Sequence, residues 1–422
     1  MGLHRELPIE FVKRMEASLS DDFEAFMSVY DNAPERALRF NCRKARADTR
    51  EALVRKWQLE PVPWCSDGYY YDAEHIRPGL SPYHDAGVFY IQEPSAMLTA
   101  EEAEINDSHI VLDLCAAPGG KATQAAARAK LLIANEPVFV RARTLSSNVE
   151  RMGFDNTIVT SALPKELADA LGPVFDRVIV DAPCSGEGMM RKDETAVLEW
   201  SPEAVEHCIA RQEEILDSAE SLVCPGGRLI YSTCTFEPGE NEDQIRHFLE
   251  KYPSFRLVRE QKLYPHRIRG EGHYCAVLEK MTEDCSSGYR QPRRTAREES
   301  PQKMLETLLK KHRIHILRCG ITPGEIITDK KGKKVHIPSQ AEIMASVPPG
   351  PTGAYLDIIS EKLCEKYLHG ESLDLSGTEE SQAICSGPDG WISVYFDGYP
   401  LGLGKKVGSV VKNHYPKGLR HM

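Results

Sequence analysis

The feature that most constrains the fold is an alternation of short apolar runs with helix-compatible stretches between about residues 108 and 235. The clearest runs are Ile110–Leu114, Leu131–Ala134, Val178–Asp181 and Arg228–Ser232. Strands separated by helix-length segments need crossover connections, which predicts a parallel sheet covered by helices: a doubly wound, Rossmann-like α/β domain. The rest of the chain is arranged around that block. Residues 8–57 read as helical, with Phe11, Met15, Phe23, Phe26 and Met27 at near-helical spacing. Pro61, Pro63, Pro78 and Pro82 then mark a loop-rich connection. Residues 283–301 are polar and charged and read as a linker, and a separate mixed α+β region follows. The expected divisions are therefore 1–85, 86–282, 283–301 and 302–422.

Bulk properties exclude several classes. Four hundred and twenty-two residues suffice for two or three cored domains. No apolar run is long enough to span a bilayer, and Met1-Gly2-Leu3-His4-Arg5 lacks a secretory apolar segment. The 12 cysteines include no C-x-x-C pair, which argues against zinc or any other bound metal and against a disulfide framework. Reduced thiols in a cytoplasm are the expectation. A net charge of −11 means that any nucleic-acid binding rests on local basic clusters.

Three strings carry chemistry. Asp113–Lys121 (DLCAAPGGK) follows one strand and opens a helix, so a ligand can approach the backbone closely at a helix N-terminus. A tight turn is the plainer reading of Gly119-Gly120. Glu136, at the end of the next strand, shifts the balance, because a carboxylate there can take two ribose hydroxyls. The string is not G-x-G-x-x-G, which disfavours a nicotinamide cofactor. Asp181–Gly188 (DAPCSGEG) follows the strand Arg177–Val180, and Arg228–Cys234 (RLIYSTC) ends another. A lone cysteine is more often a small buried hydrophobe. Neighbouring strands lie only about 4.8 Å apart, however, so Cys184 and Cys234 can reach one pocket.

Together, DLCAAPGGK, DAPCSGEG and YSTCTFEPGENE resemble the Nop/Sun family of RNA cytosine-C5 methyltransferases. Arg39-Phe40-Asn41, Gln92–Ala96, Asn148–Gly153, Met189–Asp193 and Glu199–Pro202 extend the resemblance over most of residues 36–280. Asp397–Gly402 and Lys412–Gly418 look like the tail of its bacterial small-subunit rRNA (RsmF-type) branch, a PUA-like RNA-binding module. The resemblance implies a class I methyltransferase fold and S-adenosyl-L-methionine as cofactor. The cofactor would be held by Cys115, Ala116, Ala117, Pro118, Gly119, Gly120, Lys121, Glu136, Arg141 and Asp181. It assigns Cys234 as the nucleophile that adds to cytosine C6, favoured by the helix-like start after Pro238. Cys184 would assist release of the adduct, Asp181 would bind the cytosine N3/N4 edge, and Lys121 would face the reacting base. RNA, most naturally 16S rRNA or the small ribosomal subunit, is the implied partner, with no DNA and no membrane. One departure is Ser161, which stands where relatives carry an acidic or amide contact to adenine.

Alternatives remain at this stage. Cys184 is the nucleophile if the chemistry follows the Pro-Cys motif of DNA cytosine methyltransferases. The chain is otherwise a tRNA cytosine-C5 methyltransferase, or a non-catalytic RNA-binding assembly factor. Three basic clusters are candidates for RNA contact: Arg290, Arg293, Arg294 and Arg297; Lys310, Lys311, His312 and Arg313; and Lys330, Lys331, Lys333 and Lys334. Trp391, Tyr395, Phe396 and Tyr399 read as core rather than as a base-stacking surface.

Overall fold

In the computed structural model, residues 7–282, 300–328, 332, 334–379 and 381–421 are described. Near the N-terminus lie four short antiparallel strands, β1 (Ala37–Phe40), β2 (Glu60–Pro61), β3 (Gly68–Tyr70) and β4 (Phe89–Ile91), ordered β2-β3-β1-β4. The central sheet holds β5 (Ile110–Asp113), β6 (Leu131–Asn135), β7 (Thr157–Ser161), β8 (Phe175–Asp181), β9 (Val223–Thr233), β10 (Phe255–Leu263), β11 (His273–Lys280) and β12 (His315–Cys319). Its order is β10-β11-β9-β8-β5-β6-β7-β12. Strands β5 to β9 pair in parallel, and β10, β11 and β12 are antiparallel additions at the two sides.

The parallel strands are buried on both faces, which is why they read as continuous apolar runs. One face packs Leu112, Ile133, Val178 and Leu229 against helices that supply Leu167, Ile215 and Phe248. The other packs Val111, Leu132, Ile179 and Ile230 against Ala122, Ala125 and Ala126 of the helix Gly120–Arg128, and against Leu145 and Val149. Alanines on the first of those helices let it approach the sheet closely. Strand β5 sits between β6 and β8, so the chain runs outward in opposite directions from β5. That topological switch opens a crevice beyond the carboxyl ends of β5 and β8, and Asp113 and Asp181 end those two strands.

The expected helical reading of residues 8–57 holds for Ile9–Leu19, Phe23–Ser28 and Ala47–Lys56, but not for Ala37–Phe40. Those four residues are all buried, with Leu38 paired to Ile91 and Phe40 to Phe89. A segment buried on both sides is satisfied by a strand at the centre of a small sheet, so the N-terminal subdomain is mixed rather than helical. A second difference concerns the segment after 300. The helix Pro301–Lys311 buries Leu305 and Leu309 in the core of the central sheet, and β12 pairs antiparallel with β7. Its lysines, Lys310 and Lys311, lie on the exposed side. The central sheet thus takes its last strand from beyond the division expected at 302.

The remaining strands are β13 (Glu325–Thr328) and β14 (Lys334–Ile337), a two-stranded ladder, then β15 (Tyr355–Ile358), β16 (Leu373–Asp374), β17 (Ala383–Ser386), β18 (Gly390–Phe396), β19 (Tyr399–Val407) and β20 (Val410–Asn413). The last six form a sheet ordered β16-β20-β19-β18-β15-β17. Tyr395, Phe396 and Tyr399 are buried, as the sequence predicts; Trp391 is not, and meets His414 and Lys405 at the edge of the core. This sheet shares one hydrophobic cluster with the N-terminal sheet: Leu38, Phe40 and Phe89 pack with Leu356, Phe396 and Leu401. Lys330, Lys331, Lys333 and the cluster Arg290, Arg293, Arg294 and Arg297 lie outside the described residues. Among the described residues, no helix is long and apolar enough to cross a membrane.

Arg39 on β1 joins the N-terminal sheet to the central domain. Its buried guanidinium donates to the Gly120 carbonyl at 2.8 Å, Thr123 Oγ1 at 2.8 Å, Gln124 Oε1 at 3.3 Å and Gln92 Oε1. Burial lowers its pKa to about 10, so it stays charged at neutral pH while every one of these acceptors is uncharged. Arg39→Ala should lower the unfolding free energy by about 2–4 kcal/mol, since it strands several buried acceptors. Urea unfolding followed by circular dichroism measures this. Arg39→Lys should recover only part of the loss, because an ammonium cannot reproduce the fork.

Candidate active site

The loop after β5 is shaped by its own hydrogen bonds. The Ala116 N–H donates to the Asn135 carbonyl at 2.8 Å, while Arg141 Nη2 and Asn148 Nδ2 hold the Ala117 and Pro118 carbonyls at 3.1 and 2.9 Å. Ala117–Pro118 is cis. Gly119 has φ +119°, a left-handed value that a side chain resists, and the helix begins at Gly120. Asn135 locks the ends of three strands. Its amide donates to the Leu114 and Ala162 carbonyls at 3.1 and 3.0 Å, and accepts from Thr160 Oγ1 at 2.9 Å and Ala162 N at 3.1 Å. Glu136 follows it, only 2% exposed, accepting from Val138 N at 2.9 Å and lying 3.4 Å from Arg141. Ser161, at the end of β7, turns its hydroxyl to the Pro137 carbonyl at 3.3 Å.

Asp113 stands out electrostatically in the crevice. It is fully buried, and no side chain donates to either carboxylate oxygen. Burial, then the charge of Asp181, raises its pKa to about 8, with Lys121 and the Cys115 N–H offsetting only part of this. A cationic group placed against it would meet an unsatisfied acceptor at the loop already suited to a ligand. The sequence reading did not single this residue out, although it begins the first motif.

Lys121 leaves the first turn of the helix and meets Asp181 of β8 at 2.9 Å. Asp181 also accepts from Ser232 Oγ at 2.9 Å. Burial works against both charges, but each partner's attraction outweighs it: the Lys121 pKa lies above its ordinary value and that of Asp181 below. The pair is therefore ionised at neutral pH. His273 beside it is held neutral by burial and by Lys121, which lower its pKa to about 3.

Strands β8 and β9 are neighbours with Asp181 opposite Ser232, so the loops that follow run side by side. They bring Cys184 Sγ within 3.4 Å of Cys234 Sγ. The hydrogen bond to Cys234, then burial, pushes the Cys184 thiol well above its usual pKa. Cys184 therefore keeps its proton, and either sulfur of the pair can donate to the other. The segment after Cys234 fixes both loops. Glu240 accepts from Ser185 N at 3.0 Å, from Ser185 Oγ, and from Gln212 Nε2 at 2.8 Å. Asn241 holds the Thr235 carbonyl at 2.9 Å and the Thr233 hydroxyl. A Cβ on Gly188 would stand 3.0 Å from the Cys234 and Glu271 carbonyls, so a side chain there would push on the backbone that carries Cys234. The crevice thus gathers Asp113, the loop Cys115–Lys121, Glu136, Asp181, Cys184 and Cys234. Arg141 lies at the rim, pinning the loop to Glu136. Glu240 and Asn241 were visible only as part of a motif string; their grip on the two cysteine loops was not.

Three stretches match known descriptions: residues 7–94 the N-terminal domain of 16S rRNA methyltransferase RsmF, residues 100–279 the 16S rRNA methyltransferase RsmB/F, and residues 359–421 the methyltransferase RsmF PUA domain. The ribosomal RNA small subunit methyltransferase F of Cronobacter sakazakii is 33% identical over 96% of this chain and 94% of its own length. This chain belongs to the RsmB/F family of methyltransferases. The corresponding protein of Salmonella paratyphi A is 30% identical over 98% of the chain and 96% of its own length. A solved methyltransferase homologue from Pyrococcus horikoshii, 24% identical, covers 65% of this chain and 96% of its own with a TM-score of 0.59, which shows the shared fold.

A carboxyl with a raised folded-state pKa binds protons on folding. Its contribution is present below the unfolded value and lost as pH rises toward the folded one. Without ligand, this RsmB/F-family protein should lose stability between about pH 4 and about pH 8 through Asp113. Asp113→Asn should flatten that part of the profile, as measured by thermal unfolding across a pH series. An unchanged slope in the variant would rule Asp113 out as its source.

Proposed function

We propose that this methyltransferase modifies carbon 5 of a cytosine in RNA, with small-subunit 16S rRNA as the substrate and Cys234 as the nucleophile. The observation that carries the reading is the thiol pair: Cys184 Sγ and Cys234 Sγ stand 3.4 Å apart on loops that follow neighbouring parallel strands, beside an ionised Lys121–Asp181 pair. Cytosine C5 is unreactive until a nucleophile adds at C6. As the Cys234 sulfur bonds to C6, the ring's π electrons move toward C5 and the N3 edge. Ionised Asp181 accepts from the exocyclic amino group, and the Lys121 ammonium lies where negative charge develops on the ring. After methylation, the C5 proton must leave as the C6–S bond breaks. As that bond breaks, its electron pair returns to the Cys234 sulfur; the Cys184 proton passes to that departing sulfur 3.4 Å away, and the Cys184 thiolate so formed takes the C5 proton.

S-adenosyl-L-methionine, when bound, supplies a methyl group activated on a sulfonium. The donor set suits it. Unpartnered Asp113 fits an ammonium, the loop Cys115–Lys121 offers backbone N–H groups at a helix start, and Glu136 suits the ribose hydroxyls, with Arg141 holding the loop. Adenine recognition falls to backbone groups near Ser161, whose hydroxyl is turned to Pro137. The N-terminal subdomain and the PUA-like sheet serve RNA rather than DNA, in the cytoplasm. A non-catalytic assembly factor would have no use for the paired thiols and the buried ion pair, which favours the enzyme.

With RNA and cofactor, Cys184→Ala should accumulate a covalent protein–RNA adduct that survives denaturing electrophoresis, and Cys234→Ala should form none. The opposite pattern would make Cys184 the nucleophile. Glu136→Gln should weaken cofactor binding about tenfold or more, in line with the loss of a charge-assisted hydrogen bond, as measured by calorimetry with S-adenosylhomocysteine.

A further inference from the structure

The string Met189–Asp193 and the residues leading into β1 have no part in the chemistry above, yet they meet beside it. Gly188, which donates to the Cys234 carbonyl at 2.8 Å, leads into a short turn that carries Arg191 and Lys192. Arg191 forks onto the buried Glu271 carboxylate with both bonds at 2.8 Å, and Glu271 also accepts from the Glu35 N–H at 3.0 Å. One carboxylate thus anchors two chain segments whose next residues are Lys192 and Arg36.

Neither of these two cations has a hydrogen bond or an ion pair with any described residue. Each nearby carboxylate is occupied elsewhere. Glu93 accepts from Ser95 N, Ala96 N and Glu271 N at 3.0, 2.7 and 2.9 Å; Asp193 caps a helix through Thr195 N at 2.9 Å; Glu35 pairs with Arg269. Lys192 and Arg36 are close enough to repel, and burial together with Arg36 lowers the Lys192 pKa. Arg36 also lines a cavity of about 750 Å³ in which Trp57 and Tyr71 stand with the carboxylates Glu35, Glu60, Asp72 and Glu74. Two like charges held together, with the carboxylates around them already accepting from other donors, on the turn that follows Gly188 and beside a cavity that Arg36 lines, form a site for an anion. Lysine and arginine placed this way suit a phosphodiester, and the aromatic wall suits an adjoining nucleotide.

We propose that Arg36 and Lys192 clamp a phosphodiester of the RNA strand next to the target cytosine, with the strand continuing into the Trp57–Tyr71 cavity. This rests on RNA being the substrate. The test uses the full-length protein, a cytosine-containing single-stranded oligoribonucleotide and deproteinised small-subunit rRNA, with affinity measured over a series of salt concentrations. Each phosphate contact to a single strand contributes about −0.7 to the slope of log affinity against log salt. Arg36→Gln and Lys192→Gln should each reduce the slope by about that amount and raise the KM for RNA. The affinity for S-adenosylhomocysteine and kcat at saturating RNA should stay near wild type. Lys192→Arg, which keeps the charge, should restore the slope, and it gives a reading even if Lys192→Gln folds poorly. Glutamine variants that keep the wild-type slope, or a loss that Lys192→Arg does not rescue, would overturn the clamp. If the wild-type protein itself neither binds nor methylates RNA, the substrate reading has failed instead.

Discussion

The site depends on the ion pair between Lys121 and Asp181. Taking two charges out of water costs several kcal/mol per ion, and their attraction does not reliably recover it, so a buried pair is weak evidence for stability alone. Its position explains why it is there. Lys121 belongs to the loop that shapes the cofactor side of the crevice and Asp181 to the strand that leads to Cys184, so the bond fixes one half of the crevice against the other. Asp113 lies buried beside that pair, where burial and Asp181 disfavour its charge more than Lys121 favours it, the state that a cationic ligand group would relieve.

A shell of hydrogen bonds surrounds that pair. Asn135 closes the ends of β5, β6 and β7, Arg39 holds the start of the helix behind the loop, and Glu240 with Asn241 pins the loops that carry the two cysteines. None of these touches the reacting atoms as proposed. They set the positions of groups that do, and small errors in such positions cost large factors in rate. The two thiols face one another because β8 and β9 are parallel neighbours in register, not because anything local to either cysteine arranges it.

Much of this was legible in the sequence because it depends on local pattern. The parallel strands are apolar runs followed by glycine and small residues, and the residues of the crevice sit at the ends of those runs. What escaped was non-local. Ala37–Phe40 is too short to show a period, and it is a strand only because Ile91 and Tyr70 lie on either side of it. The strand His315–Cys319 follows a polar segment, and nothing in its own residues reveals that β7 lacks a neighbour. Asn135, Glu240 and Arg39 look like ordinary polar residues until the partners that they hold are known. Trp391 shares the near-alternating spacing of Tyr395, Phe396 and Tyr399, yet it stands at the end of its strand, where the core stops.

The hydrophobic cluster shared by the first and last sheets has a consequence for how the chain is made. Leu38, Phe40 and Phe89 complete their packing only against Leu356, Phe396 and Leu401, which are synthesised more than 250 residues later. Domains usually fold from the N-terminus as they leave the ribosome. Here the first sheet waits, its apolar face uncovered, until nearly the last residue has emerged, while the catalytic sheet between them can already form. The newest part of the chain therefore finishes the oldest. A nascent protein cut short before its last sheet would expose a sticky surface rather than simply lack an RNA-binding module.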